Sequence, residues 1–164
     1  MVYSRKLFYW GAFSLLAVAT VAFCSVSAEN TIRPSGIIIH HSAIPASTDS
    51  GSVDVTLIDK IHRARGYRTF YWGRFYDAGY HYIILPDGTV QQGRPEHCKG
   101  AHARGYNSYL GICWVGDFSS RDNPYGEEGL MQPTEAQMRS LVGLCRHLKR
   151  KYNIPLQSTD LTMM

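Results

Sequence analysis

Cysteine is scarce in this chain of 164 residues: there are 4, at positions 24, 98, 113 and 145, and none forms a C-x-x-C pair. An uneven scatter of this kind is not a disulfide framework, and Cys113 and Cys145 read as small apolar fillers. Charge of one sign is scarce too. Lys and Arg number 17 against 13 Asp and Glu, a net of +4, which is too small and too scattered to argue for a nucleic-acid partner. There is no G-x-S-x-G nucleophile elbow, no phosphate-binding glycine loop and no internal repeat. His62 has no second histidine four residues away, so the helical zinc motif is absent. What is present is apolar and aromatic. Apolar residues make up 45% of the chain and Tyr alone numbers 11, which excludes disordered, collagen-like and coiled-coil classes and suits one domain with a real core.

The first 28 residues differ from the rest. Arg5 and Lys6 precede an apolar run from Leu7 to Phe23, and Val26-Ser27-Ala28 then offers small residues at a cleavage point. This is the order of a secretory signal, so residues 1–28 are expected to be a signal peptide and the protein to be exported to the periplasm, cell envelope or extracellular space. An uncleaved anchor is the alternative, on a run of about 17 residues near the lower limit for spanning. Phe23, bulky where lipidation sites use small residues, argues against a lipid on Cys24.

Beyond the leader, Gly36 to His41 is a β-branched run and reads as a buried strand. Residues 46–52 read as a Ser-rich loop. A helix is expected from Asp54, with Ile58, Ile61, His62 and Arg65 on one face and Gly66 as its stop. Tyr67 to Ala78 shows no period and reads as an aromatic loop. Tyr80 to Leu85 reads as a second strand, turned by Pro86-Asp87-Gly88 into a partner from Thr89. A long Gly- and His-containing connection follows from Gly93 to Tyr109, of the kind that carries function in a compact domain. Leu110 to Val115 is a further strand, and 121–129 a polar loop. Thr134, with Gln137 as its capping-box partner, opens a long helix whose expected apolar face is Met138, Leu141, Val142, Cys145 and Leu148. Strands interleaved with helices imply an α/β class, a single domain around one sheet.

His40 and His41 close the first strand and must point to opposite faces, so at most one serves a given site. A strand-end imidazole suits a metal ligand, or a hydrogen-bonded core histidine beside a surface one. Tyr80 opens the second strand; its phenol could orient a metal-bound water or donate to an oxyanion, or simply fill the core. His102 and Asn107 share one loop and could bind the acetamido and peptide groups of a ligand, or only each other's backbone.

In chain order, IIIHHSA at 37–43, IHRARGY at 61–67, AGYHYIILPDGTVQQGR at 78–94, GAHARGYNS at 100–108, LGICWVGDF at 110–118 and PTEAQMRSL at 133–141 resemble the zinc-dependent N-acetylmuramoyl-L-alanine amidases, the family of type 2 amidases, phage T7 lysozyme and peptidoglycan recognition proteins. The resemblance covers nearly all of residues 36–153. It implies a mixed central β-sheet flanked by helices with a groove for a muropeptide, with peptidoglycan as the partner and neither nucleic acid nor, after leader cleavage, a stable membrane partner. It implies Zn2+ as cofactor with His40 as a ligand, Tyr80 as the tyrosine beside the zinc-bound water, and His102 and Asn107 in the substrate groove. The reaction implied is hydrolysis of the amide between N-acetylmuramic acid and L-alanine; the alternative is a muropeptide-binding module that does not cut. The resemblance places the remaining zinc ligands, a histidine and then a cysteine or aspartate, after the long helix. No His or Cys follows His147, so residues 29–164 are expected to be an amidase domain lacking the family's C-terminal part.

Overall fold

The computed structural model describes residues 29–45, 47–48, 51–119 and 131–155. The expected signal peptide, the polar loop at 121–129 and the last residues, from 156 on, lie outside the described residues. Among the described residues, no helix is long and apolar enough to cross a membrane.

Among the described residues, eight strands and two helices follow in chain order: β1 (Ile37–His41), β2 (Ser47–Thr48), β3 (Gly51–Ser52), α1 (Val55–Ala64), β4 (Thr69–Tyr71), β5 (Arg74–Tyr76), β6 (Tyr82–Ile84), β7 (Val90–Gln92), β8 (Leu110–Trp114) and α2 (Glu135–Tyr152). The central sheet has the order β1-β8-β6-β7. β8 pairs in parallel with both β1 and β6, and β7 closes the sheet antiparallel to β6. The mixed sheet flanked by helices is the architecture expected from the sequence. β2–β3 and β4–β5 are separate antiparallel ladders.

Register decides what each sheet face carries, because successive side chains alternate. Ile39, Ile112 and Tyr82 stand side by side. They join Ile84, Leu110, Leu141 and Leu148 in a cluster built with α2. His40, Cys113 and Ile83 form the row on the opposite face, where Cys113 and Ile83 pack with Val53, Ile58 and Ala78 on the α1 side. The domain is therefore a three-layer stack, helix on sheet on helix, and the His40 row belongs to the α1 layer.

Both helices start where their caps dictate. Asp54 accepts hydrogen bonds from Thr56 N (2.9 Å) and Leu57 N (3.1 Å), and Gly66, at φ +76° just past the end of α1, takes a conformation that ordinary side chains resist. Thr134 and Gln137 complete the expected capping box of α2. Its buried face differs from the expected one. Met138 and Val142 are 44% and 41% exposed, whereas Gln137, Leu141 and Leu148 are buried. The face is rotated because the Gln137 amide is also needed by the sheet. Its Nε2 donates to Ile84 O (3.1 Å) and Val115 O (2.9 Å), closing off the ends of β6 and β8. Polarity patterning cannot reveal a buried glutamine of this kind.

Three loop or strand assignments are also revised. Residues 67–78 contain the β4–β5 hairpin, turned by Trp72 and Gly73 at φ +44° and +82°, so a two-residue turn replaces the expected loop. Residues 46–52, read as a loop, include the short β2–β3 ladder. The strand expected over 80–85 narrows to β6, because Tyr80 and His81 leave the regular ladder while still bonding through Arg94 N to Tyr80 O (3.0 Å) and His81 N to Gly111 O (2.8 Å).

Candidate active site

The connection from 93 to 109 is shaped by two buried side chains. Arg94 donates from Nε to Ala78 O (2.5 Å), from one terminal nitrogen to Lys99 O (2.6 Å), and from the other to Tyr67 O. One guanidinium thus ties together the approach to α1's end, the residues before Tyr80 and its own loop. His81 plays a similar part as a neutral ring: Nδ1 accepts from Gly111 N (2.9 Å) and Nε2 donates to Cys98 O (2.8 Å). Burial holds its pKa down at about 4. An imidazolium, with no lone pair for Gly111 N–H, would break that arrangement.

On this frame the α1 face of the sheet gathers a cluster of rings. His40 lies 5.3 Å from Tyr80 and 5.1 Å from His102 between ring centroids, and Tyr80 lies 6.4 Å from His102. The structure thus brings together three of the four candidate residues. The fourth, Asn107, organises the loop: its Oδ1 accepts from His102 N (2.9 Å) and Ala103 N (3.1 Å), which sets the approach of His102. His41 points to the other face, beside Phe118 and 3.8 Å from Asp117, as strand alternation requires.

His102 is held on every side. A Cβ on Gly100 or Gly111 would sit 2.5 Å or 2.6 Å from its ring, so only glycine fits at either place. Its Nε2 faces Tyr109 O at 3.1 Å and its Nδ1 faces His40 Nε2 at 3.0 Å. A carbonyl only accepts, so Nε2 of His102 carries the proton and Nδ1, in the neutral ring, accepts from His40 Nε2–H. That order makes His40 Nδ1 an acceptor. Burial is the main cause that keeps His40 and His102 neutral, with pKa values of about 4; neighbouring His102 and His41 add to it for His40.

One member of the cluster escaped the sequence reading. His62 of α1 is buried, accepts from Gly79 N at Nδ1 (2.8 Å), and packs its ring 5.1 Å from Tyr80. Its signal was present in the helical face shared with Ile58, but nothing local said that this face meets Tyr80. Burial, then the charges of Arg65 and Arg94, lowers its pKa to about 4. Tyr80 itself is shifted upward, first by burial and then by Cys113, which it meets as a hydrogen-bond partner. At neutral pH the phenol is therefore a proton donor with neutral imidazoles around it.

Residues 30–163 match the N-acetylmuramoyl-L-alanine amidase family. The chain belongs to this family of peptidoglycan amidases. It is 38% identical over 119 residues to the endolysin of Klebsiella phage KP32, covering 72% of this chain and 68% of that protein. It is 35% identical to peptidoglycan-recognition protein 2 of Holotrichia diomphalia, over 56% of this chain and 48% of that one. Among solved structures, the N-acetylmuramoyl-L-alanine amidase LysC of Clostridium intestinale matches at 36% identity and a TM-score of 0.55, over 75% of this chain and 67% of that chain. The amidase fold is thus shared, and the ring cluster lies within the matched span. Amidases of this family are in general zinc-dependent. A catalytic zinc site takes three protein ligands and keeps a fourth position open. Among the described residues of this amidase, no group of three His, Cys, Asp or Glu side chains could hold a metal ion, and His40 Nε2 is engaged by His102. The described residues do not complete a zinc site.

Proposed function

We propose that this amidase hydrolyses the amide between the lactyl group of N-acetylmuramic acid and the L-alanine that begins the stem peptide of peptidoglycan. The observation that carries the reading is the convergence of His40, His62 and His102, all neutral, on the protonated phenol of Tyr80, in a chain similar to phage endolysins. Tyr80 is the catalytic residue of this reading. Its O–H donates to the amide carbonyl as negative charge develops there, a role for which a phenol that keeps its proton is suited. His102 and Asn107 line the groove for the muropeptide, Asn107 with its amide N–H groups, since its oxygen is taken by the loop. His40 is the ligand this reading assigns to Zn2+. The described residues do not complete that site, so no step is drawn through the ion. Peptidoglycan is the partner, with neither nucleic acid nor, after leader cleavage, a stable membrane partner, and the leader at residues 1–28 directs export to the periplasm, cell envelope or extracellular space.

That the described residues hold no complete ligand set favours a second reading, a module that holds muropeptides without cutting them. The test separates the two. Purified protein is incubated with a muramyl peptide, with and without a chelator, and release of peptide bearing a free L-Ala amino group is followed. Release that the chelator abolishes supports the amidase reaction with zinc. Release indifferent to the chelator refutes the metal. Saturable binding with no release moves the protein to the second reading.

A further inference from the structure

The chain from Asn30 to Gly36 is laid along the connection that carries His102. Its burial alternates: Pro34 and Gly36 are buried while Thr31, Arg33 and Ser35 are exposed, the two-residue period of an extended segment with one face on the domain. At its start it forms a short antiparallel bridge. Thr31 stands opposite Cys98, Ile32 N donates to His97 O (2.8 Å) and Lys99 N donates to Asn30 O (2.7 Å). His97 Nδ1 adds a bond to Ile32 O (3.2 Å), and Asn30 Nδ2 reaches Phe70 O on β4 (3.4 Å). At its end Gly36 lies against the Tyr109 ring, so close that a Cβ there would fall 2.5 Å from it, and Leu110 N donates to Gly36 O (2.9 Å). The segment thus touches the His102 loop at both ends.

Both contacts fall on groups that hold His102. Lys99 gives its N–H to the segment and its C=O to Arg94 (2.6 Å), and Cys98 O takes the proton of His81 Nε2 (2.8 Å). The 97–99 backbone is therefore pinned between residues 30–32 on one side and two buried side chains on the other. Gly100 follows directly, and its backbone is packed on the His102 ring, where a Cβ would lie 2.5 Å away. At the far end, Tyr109 supplies the carbonyl that faces His102 Nε2 at 3.1 Å. A shift at either end is passed on to the ring, because close-packed groups move together.

We propose that residues 30–36 are a strap that holds the His102 loop closed, so that the shape of the candidate active site is set by the stretch of chain immediately behind residue 28. Docked, the strap keeps His102 beside His40 and Tyr80. Undocked, it leaves His97 O and Lys99 N–H without these partners and lets the loop open locally, while the sheet and α2 keep their own bonds. Cleavage after Ala28, expected from the sequence, spares the strap. Trimming of the chain beyond Ile32 removes its bridge and unlatches the loop. The device acts on the ring cluster whatever reaction the cluster performs, so it stands apart from the amidase reading.

Amide hydrogen exchange of the full chain, followed residue by residue, tests the strap. Ile32→Pro deletes the donor to His97 O. It is expected to speed exchange by about tenfold, the effect of one net hydrogen bond, at Lys99 and also at Gly100, Ala101 and His102. The N–H groups of those three bond to Asn107 O (2.8 Å), Gly79 O (3.0 Å) and Asn107 Oδ1 (2.9 Å), none of them on the strap. Val115 N–H, bonded to Ile84 O in the sheet (2.9 Å), keeps its wild-type exchange. Ile32→Val retains the donor and changes none of these rates. Gly36→Ala works from the other end: the Tyr109 ring must move, and the ring-nitrogen resonances of His102 are expected to shift with Val115 still protected. Faster exchange confined to Lys99 overturns the proposal, because the segment is then only a local tether. Equal loss of protection at Val115 in both Ile32→Pro and Gly36→Ala overturns it as well, by making the segment part of the global fold. So do an Ile32→Val chain that exchanges as fast as Ile32→Pro and a Gly36→Ala chain whose His102 ring is undisturbed.

Discussion

His81, Arg94 and Gln137 are buried polar residues that act on different backbone groups, and in each an unmade bond in the interior would cost more than a made one contributes. His81 satisfies one donor and one acceptor of the backbone at once. His81→Ala is expected to destabilise the domain by about 3 kcal/mol, because Gly111 N–H and Cys98 C=O are left buried without these partners; urea unfolding measures it, and a loss within the noise of a surface substitution contradicts the assignment. Tyr80→Phe removes one O–H while leaving the ring on His40 and His62. Under the amidase reading it is expected to lower kcat by roughly 10²-fold, as loss of an oxyanion donor does, with little change in KM. Equal loss in both parameters would place the phenol in binding instead. Of these residues Tyr80 and His102 were legible in the sequence, since they stand in the ordered motifs. The roles of His62 and Gln137 were not, because what a helical residue does depends on which strand its face meets.

At the level of elements, α2 shows how a helix is oriented by one polar contact. Gln137 closes its own N-terminus and accepts no place on the solvent face, since its amide reaches Ile84 O and Val115 O. Thr134 Oγ1 donates to Pro86 O (2.7 Å) and Ser140 Oγ to Gly88 O (2.6 Å), docking the start of the helix on the β6–β7 hairpin. Gln137→Ala is therefore expected to cost about 2–3 kcal/mol by losing the box and leaving Val115 O without its donor, while Ile84 O keeps the bond from Val115 N (2.9 Å). Val142→Lys, on the face the periodicity had placed inside, is expected to change stability by less than about 0.5 kcal/mol. Thermal melts of the two variants decide between the observed and the expected face. The helix, its start and its length were readable from the capping box and the apolar spacing; its rotation was not, because Met138 and Val142 are as apolar as Leu141.

At the scale of the whole molecule, buried neutral histidines make stability a function of pH. His62 and His81 have folded pKa values of about 4, below the ordinary value of about 6.5 that they regain on unfolding. Below pH 6.5 the unfolded chain takes up protons that the folded one refuses, so stability is fully present above about 6.5 and is lost as pH falls toward 4. Each contributes on the order of 2 kcal/mol to that loss by about pH 4.5. Glu96 acts lower. Burial alone would raise its pKa, but hydrogen bonds from Lys151, Tyr152 and Tyr82 hold it at about 2. Its share persists above about 4.5 and disappears as pH falls through 2. Calorimetry is expected to show a melting temperature level from about pH 7 to 8 and falling steadily below about 6.5; a flat profile down to about pH 4.5 contradicts buried neutral rings. The contact from Glu96 to α2's last turn also joins the 93–109 connection to the far layer of the domain.

By itself the sequence determined the class of the domain, the order of its main strands and helices, and the family, since β-branched runs, caps and six ordered motifs act locally and survive being read one at a time. It also determined that His40 and His41 part company, which follows from the two-residue period of any strand. Only the tertiary structure decided that His62 of α1 meets Tyr80, that Gln137 rather than Met138 turns inward, and that Asn107 spends its oxygen on the loop. For His62 and Gln137 the reason is a partner far away in the chain, brought close by the parallel pairing of β1, β8 and β6, whose position no local pattern encodes. For Asn107 the partners are near in sequence, but the loop takes that shape only because Arg94 and His81 fix its backbone to the rest of the domain.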